Sequence, residues 1–474
     1  MSTLMEPTTR TLGGAAITDR ALDHTAVAGC GTARAATSGV PAGFGVLVRR
    51  CALVTALFLA VVLAGPPATA NAATGACVVG EVGPVCQVWT GRVVSVNDGD
   101  TMDVDVAGDG TRATRRIRMV GVQAMEQRVF SARYRRGDCH AVAATLRLEQ
   151  LVNKGRRIVR LAAQDPWSTS RTRLRRLVAV KIGGRWRDVG TKLVSEGHAL
   201  WWPTWSESAA NRRYSIRSQR ALAAQRGVFD PDGCGPGPAA ASPLALTVNW
   251  DADGNDAFNP SGEWVEIANL DPVNPVALGG WHLRDATLNR YTFPPHAVIP
   301  PSGRVTVNVG SDGDDQAVFS WRRRAGKFEN ATHDEDAMGD GAYLFDTLGN
   351  VRAAMIYPCR TACSDPLEGL LAVTADPTGE RESIAVSNLS AGPVSLDGYL
   401  LKRRPYSYHF GPDAVVQPGE SLRVMIQGDR EDDTPLRKHW GLGRQLLHDE
   451  GDEVLLNTYT DLVVACAAWG GRSC

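Results

Sequence analysis

Met102, Val104 and Val106 alternate with Asp103, Asp105 and Ala107, the period-two rhythm of a strand with one buried face. The run Val93-Val94-Ser95-Val96 enters this stretch through Asn97-Asp98-Gly99-Asp100, and Gly108-Asp109-Gly110 leaves it, so the pattern predicts a hairpin. Ile117 and Met119 alternate with Arg116 and Arg118 and predict a third strand. Over residues 131–152 the period lengthens: Val142, Leu146, Leu148, Leu151 and Val152 read as one apolar stripe of a helix ended by Gly155. Strands are predicted again over 158–161 and 177–182, a helix over 189–196 stopped by Gly197, and a last helix over 207–225 before Gly227. Pro231 and the Gly/Pro-rich stretch 233–238 read as a linker, and a small barrel with appended helices fits this order.

The second half repeats itself. Glu263-Trp264-Val265-Glu266-Ile267-Ala268-Asn269 aligns with Glu382-Ser383-Ile384-Ala385-Val386-Ser387-Asn388, and Pro275-Val276-Ala277-Leu278-Gly279-Gly280-Trp281 with Pro393-Val394-Ser395-Leu396-Asp397-Gly398-Tyr399. Tyr291-Thr292-Phe293 and Tyr408-His409-Phe410 continue the correspondence. Two modules follow, each built of short alternating strands broken by Pro and Gly, which predicts two all-β sandwiches.

Composition changes this picture in two places. The formal charge of the 474 residues is zero, yet residues 112–226 hold 26 Lys+Arg against 7 Asp+Glu, leaving the rest of the chain acidic. Such a basic segment is the footprint of a polyanion partner. Arg49-Arg50 precedes an apolar run over 51–64, followed by Gly65-Pro66-Pro67 and Ala70-Asn71-Ala72, which predicts a signal peptide cleaved near Ala72, a secreted protein and no stable membrane insertion. Beyond that leader eight cysteines remain, an even number that suits an oxidising compartment. Cys77–Cys86 and Cys466–Cys474 are candidate local bridges and Cys139–Cys234 a candidate long one, with the connectivity open. Cys359 and Cys363 are spaced like half a zinc site, but no histidine or second pair completes it.

The candidate chemistry lies in the basic segment. Asp100 beyond a strand end and Glu126 eight residues after Arg118 offer hard oxygen ligands for a divalent ion, and arginines can hold phosphate oxygens as charge develops. Val96-Asn97-Asp98-Gly99-Asp100-Thr101, Arg118-Met119-Val120-Gly121-Val122-Gln123-Ala124-Met125-Glu126, Arg175-Arg176-Leu177-Val178-Ala179-Val180 and Leu193-Val194-Ser195-Glu196-Gly197-His198-Ala199 resemble, in order, the blocks of the staphylococcal nuclease family. The resemblance covers residues 90–230 and implies an OB-fold β-barrel with helices and a calcium-dependent endonuclease acting on DNA and RNA. It places the catalytic roles on Arg118, Glu126 and Arg175, and the metal ligands on Asp100, Gln123 and the backbone carbonyl of Ala124. Gln123 stands where the family has a second metal-binding aspartate, and Met125 where it has proline, so metal affinity is expected to fall or selectivity to change. Arg173, Arg176, Trp201 and Trp202 are candidate substrate contacts, the tryptophans as stacking surfaces for bases or as core; His198 is read as structural.

In the modules, the Glu-x-Val-x-Ile-x-Asn, Val-x-Leu-x-Gly-Trp and Tyr-x-Phe blocks and Ile299-Pro300-Pro301-Ser302-Gly303 resemble the lamin-tail domain family, with an immunoglobulin-like fold. Asp251-Ala252-Asp253-Gly254-Asn255-Asp256 is rich in oxygen ligands but lacks the closing carboxylate of a calcium loop. The expected organisation is a leader over 1–72, a mature N-terminal segment 73–87, a nuclease-like domain 88–232, a linker 233–242 and two sandwiches over 243–362 and 363–474. A secreted, divalent-metal-dependent endonuclease is expected, acting as a monomer, with a cell-surface or protein partner for the sandwiches. The alternative is an extracellular nucleic-acid-binding protein that lost catalysis with the aspartate.

Overall fold

The computed structural model describes residues 72–127, 137–237, 243–255, 258–311, 315, 317–333 and 336–474; the leader expected over 1–72 lies outside them except for Ala72. The N-terminal region contains β1 (Ala73–Ala76), β2 (Val85–Val96), β3 (Thr101–Val106), β4 (Arg115–Met119), β5 (Val122–Ala124), α1 (Ala141–Lys154), β6 (Ile158–Ala163), β7 (Thr169–Ser170), β8 (Arg173–Ile182), β9 (Arg185–Asp188), α2 (Val189–Ser195), β10 (Ala199–Trp201) and α3 (Asn211–Ala223). β2, β3 and β4 form an antiparallel meander, β4 runs parallel to β8, and β8 pairs with β6, which returns to β2. This closes a five-stranded barrel, and closure leaves none of these strands as a free edge. Met102, Val104, Ile117, Val159, Leu161 and Val178 fill it.

The turn from β2 to β3 requires glycine at 99, since a Cβ there would stand 2.6 Å from the Ala124 Cβ and 2.7 Å from that of Ala144. β5 and α1 can therefore close over the turn that carries Asp98 and Asp100. Asp188 caps α2 by accepting from Thr191 N at 2.5 Å and also accepts from the Tyr214 hydroxyl at 2.9 Å, tying α2 to α3. The helix expected over 131–152 is corrected in part. Its described portion begins at Ala141, and residues 131–136 lie outside the description. Val142 and Leu146 are 59% and 53% exposed, because the face that meets the barrel runs through Ala141, Ala144, Leu148, Leu151 and Val152. The two outer residues lie on its flank.

Each half of the C-terminal region packs two four-stranded sheets, with the same strand order in both halves. In the first, Leu244–Asn249, Trp264–Asn269, Arg304–Asn308 and Val318–Ser320 lie side by side, facing Arg290–Thr292, His282–Arg284, Asp340–Phe345 and Val351–Tyr357. The repeated motif residues have matching tasks. Glu263 accepts from the backbone N–H groups of Lys327 and Phe328, and Glu382 from those of Leu446 and Leu447. Asn269 donates to Asn274 O and Pro300 O, and Asn388 to Gly392 O and Val416 O. Buried polar side chains thus satisfy loop backbone that would otherwise be stranded.

The barrel and the first sandwich share a core. The Asp340–Phe345 strand is buried along its whole length: Ala342 and Leu344 face their own sandwich, while Tyr343 and Phe345 join the apolar cluster of the barrel. Tyr343 stacks on Phe229 at 6.2 Å, Asn211 donates to Asp336 O, and Gln219 donates to Pro358 O. Between the sandwiches, Lys402 Nζ pairs with Asp251 at 2.8 Å and Asp461 at 3.1 Å and lies over the Trp250 ring. Asp251 and Asp253 of the acidic stretch are thereby engaged with the second sandwich, Asp253 accepting from Ser407 N, while Asp256 lies outside the described residues. Disulfides join Cys77–Cys86, Cys139–Cys234, Cys359–Cys363 and Cys466–Cys474. Among the described residues no helix is long and apolar enough to cross a membrane.

His409 sits in the aromatic cluster between the sandwiches, stacked on Tyr459 and edge-on to Trp264, with Nδ1 3.1 Å from the Tyr459 hydroxyl and Nε2 enclosed. Burial, and then the charges of Lys402 and Arg430, push its pKa down to about 4 from 6.5. A depressed imidazole pKa means the unfolded chain binds the proton first as pH falls. Stability is therefore full above about pH 6.5 and declines from there to about pH 4, by up to ~3 kcal/mol from this residue. Urea unfolding from pH 7.5 to 4 should show that loss, and His409→Phe should flatten this part of the profile; an identical slope in the variant would exclude the residue as its source.

Candidate functional site

Three loops of the barrel and one loop of the first sandwich surround a cleft of about 770 Å³. Asn97, Asp98 and Thr101 come from the β2–β3 turn, Arg116 and Arg118 from β4, Gln123, Glu126 and Gln127 from β5 and the residues after it. Ser170, Arg171, Thr172 and Arg173 form one wall, Thr287, Leu288 and Asn289 another, and Trp202 follows β10. β4 and β8 bring the arginines together, with Arg118 opposite Arg175 in parallel register.

Arg118 organises the floor. It is 2% exposed; Nη1 donates to Met119 O at 3.0 Å and Val122 O at 2.7 Å, and Nη2 donates to Gln123 Oε1 at 2.7 Å and pairs with Asp100 Oδ2 at 3.2 Å. Asp100 also accepts from Ala124 N at 2.8 Å and from the Thr101 hydroxyl at 3.0 Å, so its carboxylate is held in a fixed orientation. A guanidinium is only a donor, which fixes the Gln123 amide with its oxygen towards Arg118. The amide nitrogen consequently faces the other way, donating to Ala124 O at 2.9 Å and Glu126 Oε1 at 3.1 Å. In this arrangement the amide oxygen of Gln123 is taken by Arg118 and its nitrogen faces Ala124 O and Glu126.

Asp98, in the β2–β3 turn, belongs to the same cluster, accepting from Asp100 N at 3.1 Å. Burial, with the neighbouring Asp100 charge second, pushes its carboxyl up to about 6. Glu126 is also raised, by burial first and by Asp98 second. Negative charge crowded into a partly dry site is the kind of repulsion a divalent cation relieves. Asp98, Asp100 and Glu126 offer carboxylate oxygens and Ala124 a carbonyl, although the ligand atoms of the three carboxylates do not all lie within 4.8 Å of one another. The signal for Asp98 was present in the sequence, two residues before Asp100, but a turn explains an Asp-Gly-Asp run equally well.

The remaining candidates divide. Arg173 is half-buried in the cleft, with long contacts of 3.4 Å to Thr101 Oγ1 and Ser170 Oγ. Arg175 lies 5.5 Å from the Trp202 ring, Arg118 5.1 Å from the same ring, and one terminal nitrogen of Arg175 is buried without a hydrogen-bond partner. Arg176 and Trp201 lie away from the cleft. Arg176 points to the opposite side of β8, donates to Pro166 O and Arg175 O, and covers Trp89, so its charge is spent on structure. Trp201 is fully buried between β5 and α3 and offers no face to a base. His198 lies outside the cleft. Cys139, His140 and Cys234 also lie close together, but the two sulfurs are bonded to each other and are unavailable as thiolate ligands.

No curated protein matches the chain. No nuclease family model matches the barrel region. Residues 239–358 match the model of the Lamin Tail Domain, so the sandwich that supplies one wall of the cleft is a lamin tail domain, joined to a five-stranded barrel.

Proposed function

We propose that this chain is a secreted, divalent-metal-dependent endonuclease of the staphylococcal nuclease type, hydrolysing phosphodiester bonds of DNA and RNA. The observation that carries the reading is the convergence of Asp98, Glu126, Arg118 and Arg173 on one cleft from separate segments of a strongly basic barrel, with Asp100 held against Arg118 beneath it. The four disulfides fit an oxidising compartment, which supports export.

Asp98, Asp100 and the Ala124 carbonyl would hold the ion, calcium or another hard divalent cation, which when bound supplies neutralisation of the phosphodiester and polarisation of a water. Glu126, whose carboxyl is raised by burial, takes the proton of the attacking water. The water oxygen bonds to phosphorus, the bond from phosphorus to the leaving sugar oxygen breaks, and that oxygen takes a proton from solvent water as it leaves. Arg173 and Arg175 hold the non-bridging oxygens as negative charge grows. Arg118 acts mainly through others: it orients Asp100 and Gln123 and completes the positive floor.

The hydrogen bonds of Gln123 favour a second reading, a nucleic-acid-binding barrel in which the amide nitrogen occupies the approach to Ala124 O and Glu126. Purified residues 73–474, titrated with calcium against chelator, decide between them. Calcium-dependent cleavage of single-stranded DNA is expected. Glu126→Gln should lower kcat by about 10²–10⁴-fold while oligonucleotide binding persists, and Arg175→Ala should cost about 10²-fold or more. Binding without cutting at any calcium concentration would select the second reading. Gln123→Asp adds a carboxylate to the donor set and should lower the half-saturating calcium concentration by about tenfold or more, a gain of ~1.4 kcal/mol; an unchanged calcium profile would remove position 123 from the metal site.

A further inference from the structure

The wall formed by residues 287–289 is held in place by buried groups of its own sandwich. Asp285, wholly buried, accepts from Thr287 N at 2.8 Å, Thr287 Oγ1 at 2.7 Å and Asn289 Nδ2 at 2.5 Å, which locks the loop into one shape. Arg284, 2% exposed, donates to Asp285 O and Thr287 O and reaches Met125 Sδ at 3.8 Å. Arg290 pairs with Asp138 at 3.7 Å, and Asp138 N in turn donates to Glu126 O at 2.8 Å. The loop is thus pinned at both ends to the barrel segment that carries Glu126. Leu288, at its tip, is left 50% exposed on the cleft.

The two walls differ in chemistry. Ser170 to Arg173 present hydroxyls and two guanidinium groups, which suit phosphates; Thr287, Leu288 and Asn289 present an apolar side chain between uncharged polar ones and carry no positive charge. Trp202, partly exposed, adds an aromatic face to the same cleft beside Arg118 and Arg175. A strand lying between such walls has its phosphates on the arginine side and its bases on the side of Leu288, where apolar contact is available to any unpaired base. A duplex keeps its bases stacked and paired inside, and a cleft of about 770 Å³ has the size of a small-molecule pocket.

We infer that the Arg284–Arg290 loop of the lamin tail domain is the base-side wall of the nuclease cleft, with Leu288 as a specificity-determining residue that selects single-stranded over duplex nucleic acid. This rests on the hydrolase reading for its rates, though not for its binding. The sandwich is then part of the substrate site and more than an attached spacer.

The test uses residues 73–474 and the variants Leu288→Gly and Leu288→Trp, with one labelled oligonucleotide presented alone or annealed to its complement. Two ratios are read for each protein: single-stranded to duplex initial cleavage rate with calcium, and single-stranded to duplex Kd by fluorescence anisotropy. Each ratio comes from a single preparation, so any loss of folded protein cancels. The wild type should favour the single strand by about tenfold or more in both, and Leu288→Gly should reduce the preference by about fivefold or more. Leu288→Trp, which narrows the cleft and adds an aromatic face, should preserve or raise it. Ratios in Leu288→Gly that stay within about twofold of wild type would overturn the inference. Absence of cleavage by every protein would defeat the hydrolase reading instead, and the Kd ratios would still decide the role of the wall.

Discussion

Burial of both faces of the Asp340–Phe345 strand is the constraint on which the arrangement of this chain depends. One face closes the lamin tail sandwich through Ala342 and Leu344; the other places Tyr343 and Phe345 in the barrel core. Each such aromatic contributes about 1.5–3 kcal/mol when fully removed from water. Domains in one chain are expected to move relative to each other unless their interface is large and apolar. Here the shared core, with hydrogen bonds from Asn211 and Gln219 at its border, fixes the sandwich against α3. That fixed position carries the 284–290 loop to the cleft.

Within the cleft, a buried arginine has a comparable role on a smaller scale. Arg118 would be costly to bury alone, and it is stabilised by two backbone carbonyls, an amide oxygen and a carboxylate. Those bonds set the orientation of Asp100 and, by elimination, of the Gln123 amide. Gln123 therefore contributes more than an uncharged side chain. It is a bridge between Arg118 and Glu126, which gives the floor a connected hydrogen-bond network.

The duplicated sandwiches show how a short motif can carry a fold. Glu263 and Glu382 each receive two loop N–H groups, and Asn269 and Asn388 each donate to two loop carbonyls. Removal of either side chain would strand buried backbone groups, at about 1–3 kcal/mol for each one left unsatisfied. Strands around these anchors diverge freely, which is why the second copy keeps the same strand order with a tyrosine, Tyr399, where the first has Trp281.

Local pattern alone determined much of this protein. The period-two run at 101–106, the helix stops at Gly155 and Gly197, and the repeated Glu and Asn anchors are legible because strand alternation, helix termination and loop capping are set by residues close in sequence. Asp100 and Arg118, both singled out from the sequence, pair at 3.2 Å. What the sequence could not specify were facings that depend on distant partners. Val142 and Leu146 read as core but lie outside the contact face of α1, and Trp201 and Arg176 point away from the cleft because β10 and β8 present alternate residues to opposite sides. The Gln123 amide is oriented by an arginine five residues away in sequence but buried only once the barrel closes. Thr287, Leu288 and Asn289 lie more than 150 residues from Glu126, and no local rhythm marks them as part of its cleft. Only the tertiary structure places them there, because the apolar face of one strand is satisfied by a different domain.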